Sequence, residues 1–545
     1  MAGWILCGDR PHERRVELPR DFFTLIASMK SAFLTLWLFS VFGLLTAAFG
    51  ADPRPNILLI MADDMGFSDI GCYGSEIKTP NLDRLAAEGV RFTQFYNNAK
   101  CTTTRASLLS GMYPRHSGNA IPLEIPTVGE VMRGLGYQTG MSGKWHLGPK
   151  APQRPIDRGF DEYYGLMDGA CNYFNPAQPD PEAKNSKVRT FGHNDTLITE
   201  FPKDYYTTDA FATHASDTMR RFHAAGKPFF IHLAFNAPHY PLHAFPADIA
   251  KYRGKYRAGW EELRRQRHAR QIAMGLLDPQ WALSGTDEHA YEWSTAHQDW
   301  EDLRMATYAA MVDRMDQNIG RLLATLKELG IENDTVVMFL SDNGGCSEEP
   351  GGRNASEQPG LGSSYTAVGP AWGWAQNTPF RHYKSFANEG GISTPFIVRW
   401  PGRVKAGTMT GEVGHIIDVL PTCLAIAGAK YPAEWKTQAT APVEGRSLLP
   451  VLQGGTRAAH DAIFWEWAGN GAMRQGPWKL VWDTLNQARQ WQLYDVAKDR
   501  TELHDLATQQ PARVAAMRSA YEAWAQATDR AMPGQEKRKK SKRAE

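Results

Sequence analysis

The sequence predicts an α/β fold: a large mixed, mostly parallel β-sheet flanked by helices, followed by a smaller antiparallel sheet with a terminal helix. Short apolar runs without alternation recur between residues 54 and 455, as is typical of strands covered on both faces. Amphipathic helical segments separate these runs, which favours a parallel arrangement. After about residue 455, short aromatic strands of alternating polarity precede a last helical segment, which predicts the smaller sheet.

The helical segments carry start and stop signals of their own. In TPNLDRLAAEGVRF, Thr79 stands at the N-cap position, Pro80 at the first helical position and Gly89 after the last turn. The segment DLRMATYAAMVDRMDQNIGRLLATLKELGI predicts a long amphipathic helix that ends at Gly330, directly before a strand. In a sheet built from such alternation, ligands bind at the carboxyl ends of the strands.

Length and composition indicate a globular protein of more than one domain. The chain has 545 residues, 42% of them hydrophobic and 22% charged, with a net charge of +1. A charge so close to zero excludes the strongly basic nucleic-acid-binding proteins. We predict a main domain over residues 54–455 with a helical insertion at 244–300 near the site, an α+β subdomain at 456–531, and a disordered basic tail at 532–545.

Residues 1–50 have the layout of a leader and a secretory signal peptide. From Met29, a lysine precedes an apolar run, and small residues follow near Ala48–Ala51. Because the charged residues 1–28 are unusual before an export signal, we predict that translation starts at Met29. The protein is then exported to the periplasm or the medium, with no stable membrane partner. An uncleaved anchor is the alternative, since the apolar run is about long enough to span a bilayer.

Two apolar runs end in pairs of oxygen-bearing side chains. NILLIMADD ends in Asp63 and Asp64, and DTVVMFLSDNGG runs into Asp342 and Asn343. Each pair alone is as typical of a turn or a helix cap. Together they favour a metal site, because three close carboxylates repel one another without a cation. Three carboxylates and one amide suit Ca²⁺ or Mg²⁺.

Other runs end near cationic or acid–base groups that suit an anionic ligand. GKWHLG contains Lys144 and His146, which project to the same side if the segment is extended. His239 follows the run KPFFIHLAF, and Lys384 precedes GISTPFIVRWPG. Taken singly, each of these residues is as well explained by a solvated lysine or a structural histidine.

Cys101 stands among hydroxyl side chains, four residues before Arg105, where CTTTRASLLSG predicts the start of a helix. A helix N-terminus offers free N–H groups and a positive dipole end, which stabilise an anionic nucleophile. The chain has six cysteines without CxxC or metal-ligand spacing, so no disulfide or zinc framework is indicated. The position favours a reactive side chain over a packed thiol.

The motifs MADDMG, CTTTRASLLSG, GKWHLG, NAPHYPLH, SDNGG and KSFANEGGISTPFIVRWPG resemble, in order and spacing, those of the formylglycine-dependent sulfatases of the arylsulfatase type. The resemblance spans residues 54–530. It implies an alkaline-phosphatase-like fold and the hydrolysis of aryl or carbohydrate sulfate esters to alcohol and inorganic sulfate, through a formylglycine–sulfate intermediate. The substrate is expected to be a sulfated small molecule or glycan.

The resemblance also implies a cofactor and a set of site residues. Cys101 is oxidised to formylglycine by a formylglycine-generating enzyme or a radical maturase, and one divalent cation is bound, most simply Ca²⁺ with Mg²⁺ as the alternative. The implied catalytic residues are Cys101, Arg105, Lys144, His146, His239 and Lys384. The implied metal ligands are Asp63, Asp64, Cys101, Asp342 and Asn343.

The implied roles divide the cationic residues into charge carriers and proton carriers. Lys144 and Lys384 share the charge of the sulfuryl oxygens, and Arg105 holds the hydrated aldehyde. His239, with Lys384, protonates the departing alcohol, and His146 deprotonates the second hydroxyl of the hydrate. The sequence departs from the family at Thr103, where the modification signal usually has Pro or Ala.

Two alternatives remain open at this point. One is a phosphate or phosphonate ester hydrolase on the same scaffold, because the superfamily acts on both anions. The other is a catalytically inactive homologue that binds sulfated glycans.

Overall fold

The computed structural model describes residues 54–118, 120–350, 352–485 and 490–530. The predicted leader and signal peptide (1–50) and the predicted basic tail (532–545) lie outside the described residues. Within those ranges, no helix combines the length and the apolar character that crossing a bilayer requires.

The strands of the described residues form one large sheet, one four-stranded sheet and one short hairpin. In chain order they are β1 (Asn56–Ala62), β2 (Val90–Tyr96), β3 (Gln138–Gly143), β4 (Glu162–Leu166), β5 (Phe191–His193), β6 (Thr196–Leu197), β7 (Phe229–Ala234), β8 (Thr335–Ser341), β9 (Ser393–Arg399), β10 (Thr408–Thr410), β11 (Gly414–His415), β12 (Glu434–Trp435), β13 (Gln438–Ala439), β14 (Ile463–Trp467), β15 (Asn470–Gln475), β16 (Trp478–Trp482) and β17 (Gln492–Asp495).

Helices cover the large sheet and fill most of its connections. In chain order they are α1 (Pro80–Glu88), α2 (Cys101–Ser110), α3 (Pro114–Ser117), α4 (Val128–Gly134), α5 (Thr207–Ala224), α6 (Pro246–Ala250), α7 (Gly259–Ala273), α8 (Gln298–Glu328), α9 (Gly369–Gln376), α10 (Glu389–Ile392), α11 (Val419–Ile426), α12 (Leu449–Leu452) and α13 (Pro511–Arg530). Short 3₁₀ turns occupy Gly71–Tyr73, Pro155–Arg158, Lys184–Ser186, Trp293–Thr295 and Ile416–Asp418. The range 244–300 thus contains α6 and α7.

The large sheet has eleven strands among the described residues, in the order β10-β2-β9-β8-β1-β7-β3-β4-β5-β6, with β11 also paired to β2. The five strands from β8 to β4 are all parallel. β9 runs antiparallel to both β8 and β2, which makes the sheet mixed. The predicted large, mostly parallel sheet flanked by helices is confirmed.

The central strand β1 shows why these apolar runs do not alternate. Leu58 and Ile60 point into a core that includes side chains of α1, α5 and α8. Ile57 and Leu59 point into a second core that includes side chains of α2 and α11. Since helices cover both faces, the strand residues from Ile57 to Ala62 are all apolar.

The smaller C-terminal sheet is antiparallel, in the order β14-β15-β16-β17, and α13 packs against it. Met517 and Tyr521 of α13 contact the apolar face formed by Met473, Leu480 and Leu493. This part of the prediction is also confirmed.

The smaller sheet contacts the loop that precedes β9. Lys479 of β16 donates a hydrogen bond to Glu389 of α10 (3.0 Å), and Arg500 donates to the other oxygen of the same carboxylate (2.9 Å). All three side chains are buried. These ion pairs hold the segment that carries Lys384, five residues before Glu389.

Candidate active site

The carboxyl ends of β1, β3, β7 and β8 meet at one edge of the large sheet. Backbone hydrogen bonds continue past the strand ends, from Asp63 N–H to Ala237 C=O (3.0 Å) and from Asp342 N–H to Ala62 C=O (3.2 Å). Lys144 N–H donates to Ala234 C=O (2.7 Å) in the same way. The side chains that follow four separate strands are therefore held at one place.

The four predicted oxygen-bearing side chains lie together there. Asp342 Oδ1 accepts from the backbone N–H of Asp64 (3.2 Å), and Asn343 Nδ2 donates to Asp64 Oδ1 (2.7 Å). Asp63, Asp64, Asp342 and Asn343 are all buried. The sequence-predicted pairs from β1 and β8, which are separated by nearly 280 residues, thus form one cluster.

Each carboxylate of this cluster is paired with a different cationic side chain. Lys144 Nζ lies 2.6 Å from Asp63 Oδ2, and Lys384 Nζ lies 2.8 Å from Asp64 Oδ2. Arg105 donates two hydrogen bonds to Asp342 Oδ2, at 2.7 and 3.1 Å.

Burial and charge shift the pKa values of Asp63 and Asp64 in opposite directions. Burial and the neighbouring Asp342 raise the pKa of Asp63 well above its usual value, against the opposing effect of Lys144. Burial also raises the pKa of Asp64, but Lys384 and then His239 outweigh it, so the net shift is downward. At Asp63, burial and the charge of Asp342 therefore outweigh the attraction of Lys144.

The donors at this position fit a hard divalent cation. Asp63 Oδ1 and Asn343 Oδ1 are buried and accept no hydrogen bond from any described residue. An unpartnered buried oxygen is costly, and carboxylate and amide oxygens are the ligands that Ca²⁺ and Mg²⁺ prefer. One ring nitrogen also lies near, because His239 Nε2 is 3.5 Å from Asp64 Oδ2.

Cys101 is the first residue of α2, as predicted, and its side chain is 1% exposed. Burial lowers the pKa of Arg105, but Asp342, Asp63 and then Cys101 raise it above its usual value, so Cys101 lies within electrostatic reach of the guanidinium. Lys384 interacts with Cys101 in the same way. The side chain at position 101 therefore has the cationic groups of Arg105 and Lys384 as neighbours.

Thr103, the departure from the usual modification signal, is buried in the first turn of α2. Its hydroxyl donates to the carbonyl oxygen of Lys100 (2.9 Å) and also lies 3.1 Å from that of Asn98. These bonds fasten the loop that precedes the helix.

The prediction that Lys144 and His146 project to the same side requires GKWHLG to be extended. The segment is not extended throughout. β3 ends at Gly143, and His146 adopts a left-handed conformation with φ 59°. Its N–H donates to Met167 C=O (3.1 Å), and its ring packs against Gly169, where a Cβ would lie 2.7 Å from Cε1. Residues that follow β4 therefore set the direction of the His146 ring, and the alternation of side chains along a strand does not.

Both implied catalytic histidines have lowered pKa values. Burial, followed by repulsion from Lys144, lowers the pKa of His146 far below its usual value. Burial lowers the pKa of His239 to about 3, although Asp64 opposes this effect. Burial lowers the pKa of Lys384, but Asp64 and Cys346 outweigh it and hold the net value well above normal. At neutral pH the imidazoles are therefore neutral and the ammonium group is charged.

Three further side chains at the site were missed by the sequence reasoning. Glu348 accepts from Lys100 Nζ at 2.8 Å and lies 3.4 Å from Lys384 Nζ, and Cys346 Sγ lies 3.7 Å from the same ammonium group. Cys346 and Glu348 follow SDNGG in the loop after β8, where only the polar letters CSEE gave a signal, and Lys100 directly precedes Cys101.

A fourth missed residue, Arg267 of α7, supports the loop after β1. Its guanidinium lies 2.6 Å from Asp69 Oδ1, and both groups are fully buried. Asp69 Oδ2 accepts from Gly66 N–H (2.8 Å) and from the hydroxyl of Tyr308 (2.7 Å). The Tyr308 hydroxyl also lies 3.3 Å from the carbonyl oxygen of Asp64.

Two family models match this chain. The model described as Sulfatase matches residues 55–429, and the model described as N-sulphoglucosamine sulphohydrolase, C-terminal matches residues 380–519. The chain belongs to the sulfatase family. Its members are the sulfuric ester hydrolases of the alkaline-phosphatase superfamily, so the resemblance predicted from the motifs is confirmed, together with the hydrolysis of sulfate esters.

Individual relatives match this sulfatase over most of its length. An uncharacterised sulfatase of Schizosaccharomyces pombe is 32% identical over 504 residues, 84% of this chain and 91% of the relative. An arylsulfatase of Klebsiella aerogenes is 33% identical over 430 residues, 73% and 92% of the two chains. The crystal structure of Ps i-CgsB in complex with k-i-k-neocarrahexaose is 27% identical, with a TM-score of 0.65 over 86% of this chain and 92% of that one.

Proposed function

We propose that this sulfatase hydrolyses aryl or carbohydrate sulfate esters with residue 101, oxidised from cysteine to formylglycine, as its nucleophile. The observation that carries the proposal is the position of Cys101 at the N-terminus of α2, among cationic groups that also pair with the buried carboxylates of β1 and β8. A hydrated aldehyde offers two hydroxyl groups at this position, so that one can attack and the other can later release the product.

A divalent cation, Ca²⁺ in preference to Mg²⁺, is proposed to be held by Asp63, Asp64, Asp342, Asn343 and the oxidised side chain of residue 101. The unpartnered oxygens of Asp63 and Asn343 support this assignment. When bound, such an ion supplies positive charge beside the nucleophile and the sulfuryl oxygens.

The chain's own cationic groups are proposed to hold the sulfuryl group. Lys144 and Lys384 flank the carboxylate cluster on two sides, and Arg105 fixes Asp342 through two hydrogen bonds. Buried charges that are already oriented stabilise developing negative charge without reorganisation. Removing one such group typically costs about 10²–10³ in rate.

Proton transfer is proposed to follow the pKa order of the site. Lys384 carries a proton at neutral pH, and its Nζ lies 3.5 Å from His239 Nε2, so this pair delivers a proton to the departing alcohol oxygen. His146 is neutral, and its Nδ1 has no hydrogen-bond partner in the part of the chain that the structure describes, so it accepts a proton from the second hydroxyl of residue 101.

Maturation and export are part of the same proposal. A formylglycine-generating enzyme or radical maturase oxidises Cys101 despite Thr103, and the signal peptide directs the protein to the periplasm or the medium. The similarity to the Klebsiella aerogenes arylsulfatase and to Ps i-CgsB supports both aryl and carbohydrate sulfates as substrates.

Peptide mass spectrometry of purified active protein tests the proposal at its centre. The peptide that contains residue 101 is expected to have the mass of an aldehyde in place of CH₂SH, and Cys101→Ala is expected to abolish release of sulfate from an aryl sulfate. Cys423→Ala, in α11, removes another buried thiol and serves as the matched control. Full activity with an unmodified thiol would overturn the formylglycine assignment, and faster hydrolysis of the paired aryl phosphate would favour the phosphatase alternative.

A further inference from the structure

Two histidines and a glutamate converge at a place that the reaction does not use. The Glu162 cluster consists of Glu162 at the start of β4, His193 at the end of β5 and His214 in α5. Glu162 Oε1 lies 3.1 Å from His193 Nε2 and 3.2 Å from His214 Nε2. We propose that the Glu162 cluster binds a zinc-type divalent metal ion, separate from the cation of the active site.

The spacing of the three ligand atoms fits such an ion. Zinc bonds to histidine nitrogen and carboxylate oxygen at about 2.0–2.2 Å in tetrahedral geometry, which sets neighbouring ligand atoms about 3.3 Å apart. The two measured separations agree with that value, and one ligand atom from each residue lies within 4.8 Å of both others. Only a small adjustment is needed to place an ion among them.

The surroundings of His214 hold its ring in a ligand orientation. Its Nδ1 lies 2.6 Å from Ser142 Oγ, which can accept a hydrogen bond from Nδ1–H and so leave the Nε2 lone pair directed at Glu162. The ring stacks on Tyr164 at 5.2 Å between centroids and 28° between planes. A hydrogen bond from the second ring nitrogen is a regular feature of metal-binding histidines, because it fixes the tautomer and the ring direction.

The cluster also leaves a path for the ion and a position for a fourth ligand. The His193 side chain is 49% exposed, and its ring plane is 83° from that of His214, so the two rings approach from different directions. Arg221 donates to Glu162 Oε1 at 3.0 Å, but its side chain is 51% exposed and already lies 3.0 Å from Thr218 Oγ1. The guanidinium can therefore turn towards solvent when an ion binds.

The donor types separate this site from the active site. Two imidazoles and one carboxylate suit zinc and other late first-row metals, whereas Ca²⁺ and Mg²⁺ prefer a set made of oxygen atoms. Glu162 pairs in register with Gly140, upstream of the end of β3 where Lys144 begins the active site. The two sites can thus be filled selectively in one protein.

The competing account is a network of ion pairs in which both histidines are protonated and bind Glu162 directly. The two accounts make opposite predictions for zinc. Protonated rings satisfy the carboxylate without metal, and such a network would take up no zinc, while neutral rings leave three lone-pair donors that face one another.

Calorimetric titration of the full-length, metal-stripped protein with ZnCl₂ tests the proposal at neutral pH. The buffer contains enough CaCl₂ to saturate the cation site of the active site. Wild type is expected to bind one zinc ion that Ca²⁺ does not displace, with a rise in the thermal unfolding midpoint. His193→Ala is expected to weaken that binding at least about 100-fold and Ser142→Ala about 10-fold. Co²⁺ is expected to give the visible absorption of a tetrahedral site in wild type and not in His193→Ala.

His223→Ala provides the matched control, because His223 is exposed on the same helix and lies outside the cluster. Its zinc affinity is expected to equal that of wild type. Absence of zinc binding in wild type, or unchanged binding in both His193→Ala and Glu162→Gln, would overturn the proposal. Sulfatase activity is measured separately in CaCl₂, so the outcome does not depend on the proposed reaction.

Discussion

Lys144 and Asp63 form a fully buried ion pair, and both residues also have a role in the proposed reaction. Their 2.6 Å contact neutralises a carboxylate whose pKa is already raised by burial and by Asp342. Bringing both charges out of water is costly, so the pair adds little net stability. Removing only one of the two residues is strongly destabilising, because the other charge is then left buried without a partner.

Lys144→Met is therefore expected to lower both stability and rate. We expect a loss of about 3–5 kcal/mol in the free energy of unfolding, measured by urea titration, because Asp63 loses its partner. We expect kcat for an aryl sulfate to fall about 10²–10³-fold, because the sulfuryl group loses an oriented charge.

The double variant Lys144→Met/Asp63→Asn distinguishes these two effects. It removes both charges, so most of the lost stability is expected to return, while the rate stays low because the sulfuryl group lacks Lys144 and the proposed cation lacks the Asp63 carboxylate. A double variant that recovers its rate together with its stability would show that Lys144 acts only as a structural partner of Asp63.

Among the secondary-structure elements, two helices far away in the chain hold the loop that follows β1 and carries Asp63 and Asp64. Arg267 of α7 and Tyr308 of α8 both bind Asp69, which in turn accepts from the N–H of Gly66. Arg267 and Asp69 are 198 residues apart. The helices therefore set the path of the backbone that carries Asp63 and Asp64.

Arg267→Met is expected to weaken cation binding although Arg267 touches no proposed ligand. We expect the Ca²⁺ concentration for half-maximal activity to rise about 10–100-fold, as is usual when an outer partner of a metal site is lost. Full activity is expected to return at saturating Ca²⁺.

The control is Arg265→Met in the same helix, where the side chain is 67% exposed. A fall in activity that no Ca²⁺ concentration restores, or an equal effect in Arg265→Met, would contradict the positioning role of Arg267.

Helix α1 shows which features of an element can be predicted from local sequence and which cannot. The bounds of α1 agree with the prediction, yet Thr79 does not cap the helix with its side chain, because its hydroxyl accepts from Gly71 N–H (2.8 Å). The carboxylate of Asp316 accepts instead from Asn81 N–H (3.1 Å) and Leu82 N–H (2.8 Å). Local signals predicted where the helix begins, but not a cap supplied 235 residues away.

The site residues also divide into those that local sequence predicts and those that it does not. The apolar runs, with the rule that ligands bind at strand ends, are enough to predict that Asp63, Asp64, Asp342 and Asn343 lie together. The rule could not predict Glu348 or Lys100, because both lie in irregular segments whose course is set by packing.

At the scale of the whole molecule, the fold keeps several histidines neutral by burying them. Burial lowers the pKa of His232 to about 3, of His415 to about 3 and of His243 to about 4. His239 in the active site has a pKa of about 3 for the same leading reason. In the unfolded chain these rings titrate near the usual value of about 6.5.

The direction of the resulting pH dependence follows from proton binding. Between about pH 6.5 and pH 4, the unfolded chain binds protons at these histidines and the native protein does not, so acid favours unfolding. Four carboxylates act in the opposite direction, because burial raises the pKa values of Asp63, Asp69, Asp83 and Asp316, that of Asp316 to about 6, so the native state gains protons there as the pH falls. The histidines with lowered pKa values, which also include His146 and His214, outnumber these carboxylates, so a net loss of stability in acid is expected.

We therefore expect the free energy of unfolding to decrease steadily from pH 6.5 to pH 4, each buried histidine contributing at most about 1.4 kcal/mol per pH unit. Urea titrations across this range in CaCl₂ measure the slope. In wild type, His243 Nε2 contacts Ser364 C=O at 2.9 Å. His243→Gln keeps a polar side chain of similar size at this place but cannot titrate. The slope of its unfolding free energy against pH is therefore expected to be shallower than that of wild type by the equivalent of about one proton. A variant slope equal to that of wild type would contradict the assignment, because a histidine that is neutral when folded and charged when unfolded must contribute to the slope.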